Sequence, residues 1–386
     1  PTSRRRFLEH CGLVAAAPLA PSMLGRSPGP DGLSLFGAPR ATEHVVLVAF
    51  AGGVRKKEVL EDAENAPNLN AIGRSGVIAP RVACRNVGHY GAALSIFTGH
   101  TEVMGIRDNE RGINPTVFEK LRKDHNFVRG DVWLSTSSGA QGRLFAHSDH
   151  PDYGAGFAAN VLDGDGLFNV EFQNVLESFG KPKADGQKDR ATLEKLGEAM
   201  RKVGGDGSSM DAEQLRRVSN FVLDELTGST SRITGPGGGD AKAIRVGANI
   251  LRTFRPKLVG ITLQNHDAAH GSYNGYKEII RRNDEEIGKL WRMVQEDEAL
   301  KDKTAIVVLP EFGRDKDLNE RNGLDHGDNS KELHEVVLVA AGPDIKAGRT
   351  IQEEIRTIDV APTVHQMLTG KRLDKVEGKT IRALLS

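Results

Sequence analysis

Short apolar runs, rich in β-branched residues, recur along the chain and are separated by segments with helical periodicity. Runs of this kind predict strands that are buried on both faces, as in a parallel sheet. The predicted strands cover residues 44–50, 76–82, 131–137, 258–263, 304–309 and 334–342.

The segments between these strands predict helices over 67–77, 89–99, 273–295 and 359–370. The second of them ends at Gly99, which is typical of a helix C-cap. In the longest helix, helical spacing predicts a buried stripe made of Ile280, Ile287, Trp291 and Val294. Strands that alternate with helices indicate an α/β fold with a doubly wound, mainly parallel central sheet flanked by helices.

Other regions depart from this alternation. Residues 155–250 contain helical patterns separated by Gly, Asp and Ser, and we interpret them as a mostly helical insertion into an α/β domain over 43–386. Residues 26–42, rich in Pro and Gly, are typical of a linker. Residues 1–25 contain Ser-Arg-Arg-Arg-Phe-Leu before an Ala-rich segment and resemble a bacterial twin-arginine export signal. We therefore expect a periplasmic or secreted protein.

Charge and composition narrow the classes of partner. The 386-residue chain has 52 Lys plus Arg and 52 Asp plus Glu, so electrostatics gives no reason to expect a nucleic acid partner. No run approaches the ~20 apolar residues of a membrane span. Cys11 would leave with the signal, so Cys84 would be alone and no intramolecular disulfide is expected. Cys84 is then a small buried residue or a thiol near the functional site.

Potential metal ligands stand just past three successive apolar runs in the last third of the chain. In an open α/β sheet, ligands bind beyond the carboxyl ends of the strands. Imidazoles and carboxylates there suit a divalent ion, zinc first, with manganese, magnesium or calcium as alternatives. Polar residues in these positions are also typical of turns and helix caps, so that interpretation stays open. The residues are His266, Asp267, His270, Glu311, Asp325 and His326.

Several strings together resemble motifs of the alkaline phosphatase and sulfatase superfamily. "APNLNAIGRSGV" is similar to its "TPNLDxLAxxGV", "LSIFTGH" to its "LLTG", "VAAGPDIKAG" to "GPGIKxG" and "IDVAPTVHQMLTG" to "xDxAPTxxxLxG". Their order holds from about residue 44 to residue 375. "FAGG", the "EFGR…GLDHG" run and the twin-arginine leader also resemble an exported, sulfatase-like subfamily of unassigned function.

The resemblance implies a site with two divalent ions about 4 Å apart, which polarise a phosphate or sulfate ester and activate a nucleophile at a helix N-terminus. Asp267, His270 and His326 match the ligands of the first ion, and strict spacing also offers His266. Asp325 could orient an imidazole. A small anionic ester is the implied substrate.

Few of the ligands expected for the second ion are present. Ala51 stands where the first strand should end in Asp, and Glu311-Phe312 stands in place of Asp-His, so only Glu311 can ligate. The nucleophile position falls on His89, or on Arg85 by an alternative alignment, and neither is Ser, Thr or Cys.

The remaining candidates could act on an anion. His89 could be a nucleophile or a ligand, or a structural histidine. Arg85, Asn86 and Arg314 could clamp an anion, and for Arg314 a surface salt bridge is an alternative.

Two hypotheses follow. The first is an exported metal-dependent hydrolase of phosphate or sulfate esters, or an enzyme of related anionic group transfer, in which His89 or a water molecule activated by the metal attacks. The second is a non-catalytic descendant that binds an anionic ligand or a partner protein, which the degenerate second metal site favours.

Overall fold

Strand β1 (His44–Phe50) is buried at all seven positions and forms the centre of the sheet. The computed structural model describes residues 40–102, 110–164, 181–182, 209–210, 212–228 and 230–386. The other strands are β2 (Val77–Ala83), β3 (Val132–Thr136), β4 (Asn160–Asp163), β5 (Lys181–Pro182), β6 (Ser209–Met210), β7 (Leu258–Leu263), β8 (Thr304–Pro310), β9 (Glu335–Ala341), β10 (Arg349–Thr350) and β11 (Ile355–Arg356).

Within the described ranges, nine strands form one mixed sheet in the order β10-β2-β9-β8-β1-β7-β3-β4, with β11 also paired to β2. Strand β9 runs antiparallel to β2 and β8, and the other pairs are parallel. β5 and β6 form a separate parallel pair. In the centre, Val48 lies opposite Ile261 on one side and Val308 on the other.

The helices are α1 (Pro67–Ser75), α2 (His89–Thr98), α3 (Val117–His125), α4 (Gly139–Phe145), α5 (Ala212–Gly228), α6 (Gly238–Phe254), α7 (Tyr273–Glu296), α8 (Lys331–His334) and α9 (Val360–Thr369). A 3-10 helix, Asn265–His270, connects β7 to α7. Shorter 3-10 turns cover Ala63–Asn65, Arg129–Asp131, Gly154–Phe157, Thr230–Arg232 and Thr357–Asp359, and a π-helical turn covers Lys57–Glu61.

Alternation along β1 divides the core into two layers. Leu47 packs in the cluster that contains Phe97, Phe118 and Met367, which belong to α2, α3 and α9. Val48 packs on the opposite face, in the cluster that α1, α5, α6 and α7 line. Helices therefore cover both faces of the sheet, and the predicted doubly wound, mainly parallel α/β fold is confirmed.

The predicted elements agree with the observed ones within a few residues. Gly99 follows α2 with φ 74°, in the left-handed conformation that glycine adopts without strain. Along α7, Ile280, Ile287 and Val294 are buried as predicted, whereas Trp291 is only partly buried.

The boundaries of the predicted insertion over 155–250 stay a prediction. Its helical patterns over 166–180 and 191–204 lie outside the described residues, as do the predicted signal over 1–25 and most of the linker over 26–42. Two described segments within it belong to the main layers. β4 extends the sheet beside β3, and α6 contributes Ile244 and Ile250 to the core.

Among the described residues, none of the helices combines the length and the apolar character that crossing a bilayer requires.

Candidate metal centre

Three neighbouring strands end together at one edge of the sheet. Phe50, the last residue of β1, lies opposite Leu263 of β7 and Pro310 of β8. Because the strands are parallel and end in register, the segments that follow them lie side by side. These segments are the loop after β1, the 3-10 helix Asn265–His270 and the loop after β8. Helix α2 also begins at this edge with His89.

Glycine lets two of these segments approach each other closely. A Cβ on Gly52 would lie 2.7 Å from the backbone nitrogen of Asp267 and 2.7 Å from the carbonyl oxygen of Gln264. Any side chain at position 52 would therefore push the 3-10 helix away from the end of β1.

Four side chains at this edge form a group that could hold a cation. His89, Asp267, His270 and His326 each offer a ligand atom, and these atoms all lie within 4.8 Å of one another. Ligands around zinc, with bonds of about 2.1 Å in a tetrahedron, are roughly 3.4 Å apart. A small contraction of the group would bring the atoms to that spacing.

Carboxylates orient two of the imidazoles. Nδ1 of His89 is 2.6 Å from Oε1 of Glu311, and Nδ1 of His270 is 2.5 Å from Oδ1 of Asp325. The Nε2 atoms of both rings point at Oδ1 of Asp267, at 2.9 Å and 3.3 Å. Metal-binding histidines in proteins are usually held in this way, with the distal nitrogen on a carboxylate.

Glu311 lies behind His89 and is fully buried. Its Oε2 has no hydrogen-bond partner among the described residues. Burial raises the pKa of Glu311 to about 7, although the charge of His89 opposes the shift. Burial works in the other direction on His89, but the carboxylates of Glu311 and Asp267 outweigh it and raise the pKa of His89 to about 9.

His326 completes the group and is a neutral imidazole. Its ring centroid is 4.6 Å from that of His89 and 5.0 Å from that of His270. Burial, together with the nearby His89 and Arg314, lowers the pKa of His326 to about 4. At neutral pH its nitrogen lone pair is therefore available to a cation.

Arg314 is completely buried beside the group, so it is neither a surface salt bridge nor open to solvent. Its Nη2 is 2.7 Å from Oδ1 of Asp267 and also donates to the carbonyl oxygen of Gly52, while Nη1 is 3.3 Å from the carbonyl oxygen of Leu324. Burial would raise the pKa of Asp267, but hydrogen bonds from His89 and Arg314 hold it well below its ordinary range. Asp267 is thus a carboxylate at any physiological pH.

The charges of this centre favour a cation. Asp267, Glu311 and Asp325 carry three potential negative charges, and the buried Arg314 offsets one of them. Arg321 also approaches Asp325, at 3.3 Å, but it is largely exposed and screened by solvent. At neutral pH the protonated His89 offsets a second one, so the centre keeps one negative charge beside the neutral imidazole of His326 and favours a cation.

Other predicted residues lie elsewhere. His266 is fully buried beneath the 3-10 helix, with its ring centroid 4.9 Å from that of Phe50, and burial lowers its pKa to about 3. Asn86 shapes the start of α2 by accepting from the backbone N–H of Gly88 at 2.8 Å. Arg85 is exposed and lines a separate small cavity with Arg356.

Cys84 is buried, and its thiol donates to the carbonyl oxygen of Leu333. Burial raises the pKa of this thiol to about 12. It is therefore a protonated interior group without nucleophilic character at neutral pH.

Two of the residues that stand in the place of second-ion ligands cannot bind a cation. Phe312 is fully buried, with its ring centroid 4.9 Å from that of His89 and 5.2 Å from that of His326. Ala51 is buried and supplies no ligand. Of the expected second set, only Glu311 can bind a cation, and it is bonded to His89.

The burial of Arg314 against Asp267 was not predicted. No sequence pattern distinguishes a buried arginine from an exposed one in the loop after a strand. His89 was considered as a nucleophile, a ligand or a structural histidine at the start of a helix, but its contact with the buried Glu311 was not predicted.

Comparison with known proteins defines the class of fold. No family profile matches the sequence, and no curated protein is similar to it in sequence. The structure is similar to that of alkaline phosphatase PafA, with 10% identity, 91% of this chain and 100% of that chain covered, and a TM-score of 0.58. A quadruple variant of PafA gives 11% identity, the same coverage and a TM-score of 0.59. Ps i-CgsB gives 10% identity over 88% of this chain and 75% of that chain, with a TM-score of 0.50.

At these identities the likeness concerns the fold, and the chain has the fold of the alkaline phosphatase superfamily. The resemblance predicted from the motifs is confirmed at this level. The narrower match to exported sulfatase-like proteins stays a prediction.

Proposed function

We propose that the chain is a metal-dependent hydrolase of phosphate or sulfate esters that uses a single divalent ion. Asp267, His270 and His326 would hold the ion and leave a position open, as catalytic zinc sites with three protein ligands do. One observation carries the proposal: Nδ1 of His270 is held by Asp325, so that Nε2 converges with Asp267 and His326 on one point. PafA, the structural neighbour, is by name an alkaline phosphatase.

His89 is better suited to move a proton than to attack the ester. Nδ1 is fixed on the buried Glu311, and Nε2 faces the group of ligands. In the proposed reaction, water attacks phosphorus or sulfur, the bond to the leaving oxygen breaks, and Nε2 of His89 gives that oxygen its proton. The proton that the attacking water loses then restores the protonated His89. Glu311 keeps the imidazole in the required orientation.

The start of α2 would receive the anionic part of the substrate. His89 is the first residue of this helix, and no side chain of the described residues caps it. The positive end of the helix dipole is thereby located at the metal centre. The ion, when bound, would polarise the ester and lower the pKa of the attacking water.

The decisive experiment is metal analysis of the gently purified chain by mass spectrometry, combined with turnover of p-nitrophenyl phosphate and p-nitrophenyl sulfate. We expect about one equivalent of metal, and turnover that a chelator abolishes. His89→Gln keeps the reach of Nε2 but cannot transfer a proton, so it should retain the metal and lose turnover by about 100- to 10,000-fold.

Other outcomes contradict the proposal in distinguishable ways. Folded wild-type protein without metal would rule out the centre. Metal without turnover of either ester would favour the alternative, a non-catalytic binding protein, which Ala51 and Phe312 already suggest. Loss of metal in His89→Gln would make His89 a fourth ligand and the site a closed one.

Export through the twin-arginine route is a separate part of the proposal and rests on the Ser3–Leu8 string. Replacing both Arg4 and Arg5 by Lys should retain the protein in the cytoplasm of a bacterial host. Undiminished export of that variant would refute the signal.

A further inference from the structure

A buried carboxylate outside the metal centre holds the segment that carries two of its ligands. Asp240 lies in the first turn of α6 and is 0% exposed. Its carboxylate accepts from the backbone N–H of Asn265 at 3.1 and 3.2 Å. In return, the backbone N–H of Asp240 donates to Oδ1 of Asn265 at 3.0 Å. Helix α6 and the first residue of the 3-10 helix are therefore joined in both directions.

Helix α7 contributes to the same network. Nδ2 of Asn283 donates to Oδ2 of Asp240 at 2.8 Å and lies 3.2 Å from Nε2 of His266. Nδ1 of His266 is 3.6 Å from Oδ2 of Asp240. The two residues that precede Asp267 are thus fixed by buried polar contacts to two different helices.

The arrangement costs folding free energy, which indicates a role beyond packing. Among the described residues, no Lys or Arg forms an ion pair with Asp240. Burial of a carboxylate without a cationic partner is unfavourable, and it raises the pKa of Asp240 to about 6. On its other side, the 3-10 helix is in contact with Gly52. The segment before Asp267 is therefore held between the loop after β1 and the two helices.

We propose that Asp240 is a positioning residue for the metal centre, which sets the place of Asp267 and His270 through the backbone of Asn265. This inference rests on the proposed metal centre. Partners outside the ligand shell typically change metal affinity by about 10- to 100-fold. An amide at position 240 replaces one acceptor oxygen with an NH2 group, so a donor then faces the buried donors that the carboxylate accepts from.

The test is titration of the metal-free full-length chain with Co²⁺, followed by the absorption of the bound ion. Asp240→Asn should raise the Kd for Co²⁺ by about 10- to 100-fold and alter the spectrum, which reports ligand geometry. The matched control is Glu225→Gln. Glu225 is 1% exposed and accepts from Asn249 at 2.7 Å and Thr230 at 3.1 Å, neither of which lies in the 3-10 helix. It should lose stability without a change in Kd or spectrum.

Asn265→Ala is a second variant for the case in which Asp240→Asn does not fold. It removes one acceptor at a half-buried position, and it should shift Kd in the same direction by a smaller factor. An unchanged Kd in both variants, or an equal shift in Glu225→Gln, would refute the positioning role of Asp240 but not the proposed metal centre. Failure of the wild-type chain to bind Co²⁺ would overturn the proposed function and this role with it.

Discussion

Two groups of histidines in this molecule have opposite surroundings. In the metal centre, Nδ1 of His89 and Nδ1 of His270 are each held by a carboxylate. In the pair that joins α3 to α9, Nδ1 of His365 is 3.0 Å from the carbonyl oxygen of Lys371, and its Nε2 is 2.9 Å from Nε2 of His125. The first arrangement turns both Nε2 atoms toward Oδ1 of Asp267, whereas in the second the nitrogens of His365 contact another histidine and a backbone carbonyl.

The electrostatic consequences differ accordingly. Carboxylates raise the pKa of His89, whereas burial and the neighbouring His125 lower the pKa of His365 to about 4. The acid next to the pair, Asp124, accepts from the hydroxyl of Tyr153 instead. Histidines that lie close together are therefore insufficient evidence for a metal site. The carboxylates behind them distinguish the candidate metal centre from a contact between two helices.

The largest effect is expected from replacing Asp267, because its Oδ1 contacts His89, His270 and Arg314. Asp267→Asn should raise the Kd for Zn²⁺ by more than about 100-fold, because loss of a direct ligand exceeds the effect of an outer partner. It should also lower the free energy of unfolding by about 2 kcal/mol, because Arg314 is left as a buried cation without its partner. Isothermal titration and urea denaturation measure the two changes.

The control for this prediction comes from the other group. In His365→Asn the new Nδ2 can still donate to the carbonyl oxygen of Lys371, and the Kd for Zn²⁺ should stay within about twofold of wild type. Equal weakening in both variants would mean that the comparison between the two groups is wrong.

A smaller effect should separate the two carboxylate–histidine contacts within the centre. Glu311→Gln should lower kcat by about 10- to 100-fold with metal content unchanged, because His89 loses its orientation. Asp325→Asn should instead raise the Kd for the metal. The expected increase is about 10-fold, the lower end of the usual effect of such partners, because Asp325 is 39% exposed. The measurements are kcat at saturating metal and equilibrium dialysis. The reverse assignment of the two effects would make His89 the ligand and His270 the group that moves the proton.

Most of the fold could be predicted because its central strands are buried on both faces. HVVLVAF reads as a strand without any knowledge of its neighbours, and β1 covers those seven residues. The antiparallel direction of β9 was not predictable, since a strand with two buried faces has the same composition in either direction. The sequence also did not predict that α6 packs directly on the central sheet, because an amphipathic pattern does not identify the surface that a helix covers.

The site residues that directly follow predicted strands could be identified from the sequence. Asp267, His270 and His326 follow apolar runs, and the structure brings them together with His89. Spacing could not distinguish His266 from its neighbours, because one residue along a 3-10 helix turns the side chain from the edge into the core. Nor could it find Asp240, whose contact with Asn265 spans 25 residues of sequence.

The last expected effect concerns pH and belongs to the His125–His365 pair. An unfolded chain binds a proton at His365 near pH 6.5, whereas the folded chain does so only near pH 4. Between these values the unfolded state holds more protons, so stability falls as the pH falls through this window. From pH 7 to pH 5 the pair should reduce the free energy of unfolding by about 2 kcal/mol.

Urea denaturation of wild type and His365→Asn at both pH values isolates this contribution. Asp240, Glu311 and His89 also have shifted pKa values, but they are common to both proteins and cancel in the difference. His365→Asn should therefore lose less stability than wild type over this interval, although it is less stable at pH 7. Parallel losses in the two proteins would show that His365 accepts a proton in the folded state, and the contrast between a neutral histidine pair and a charged metal centre would no longer hold.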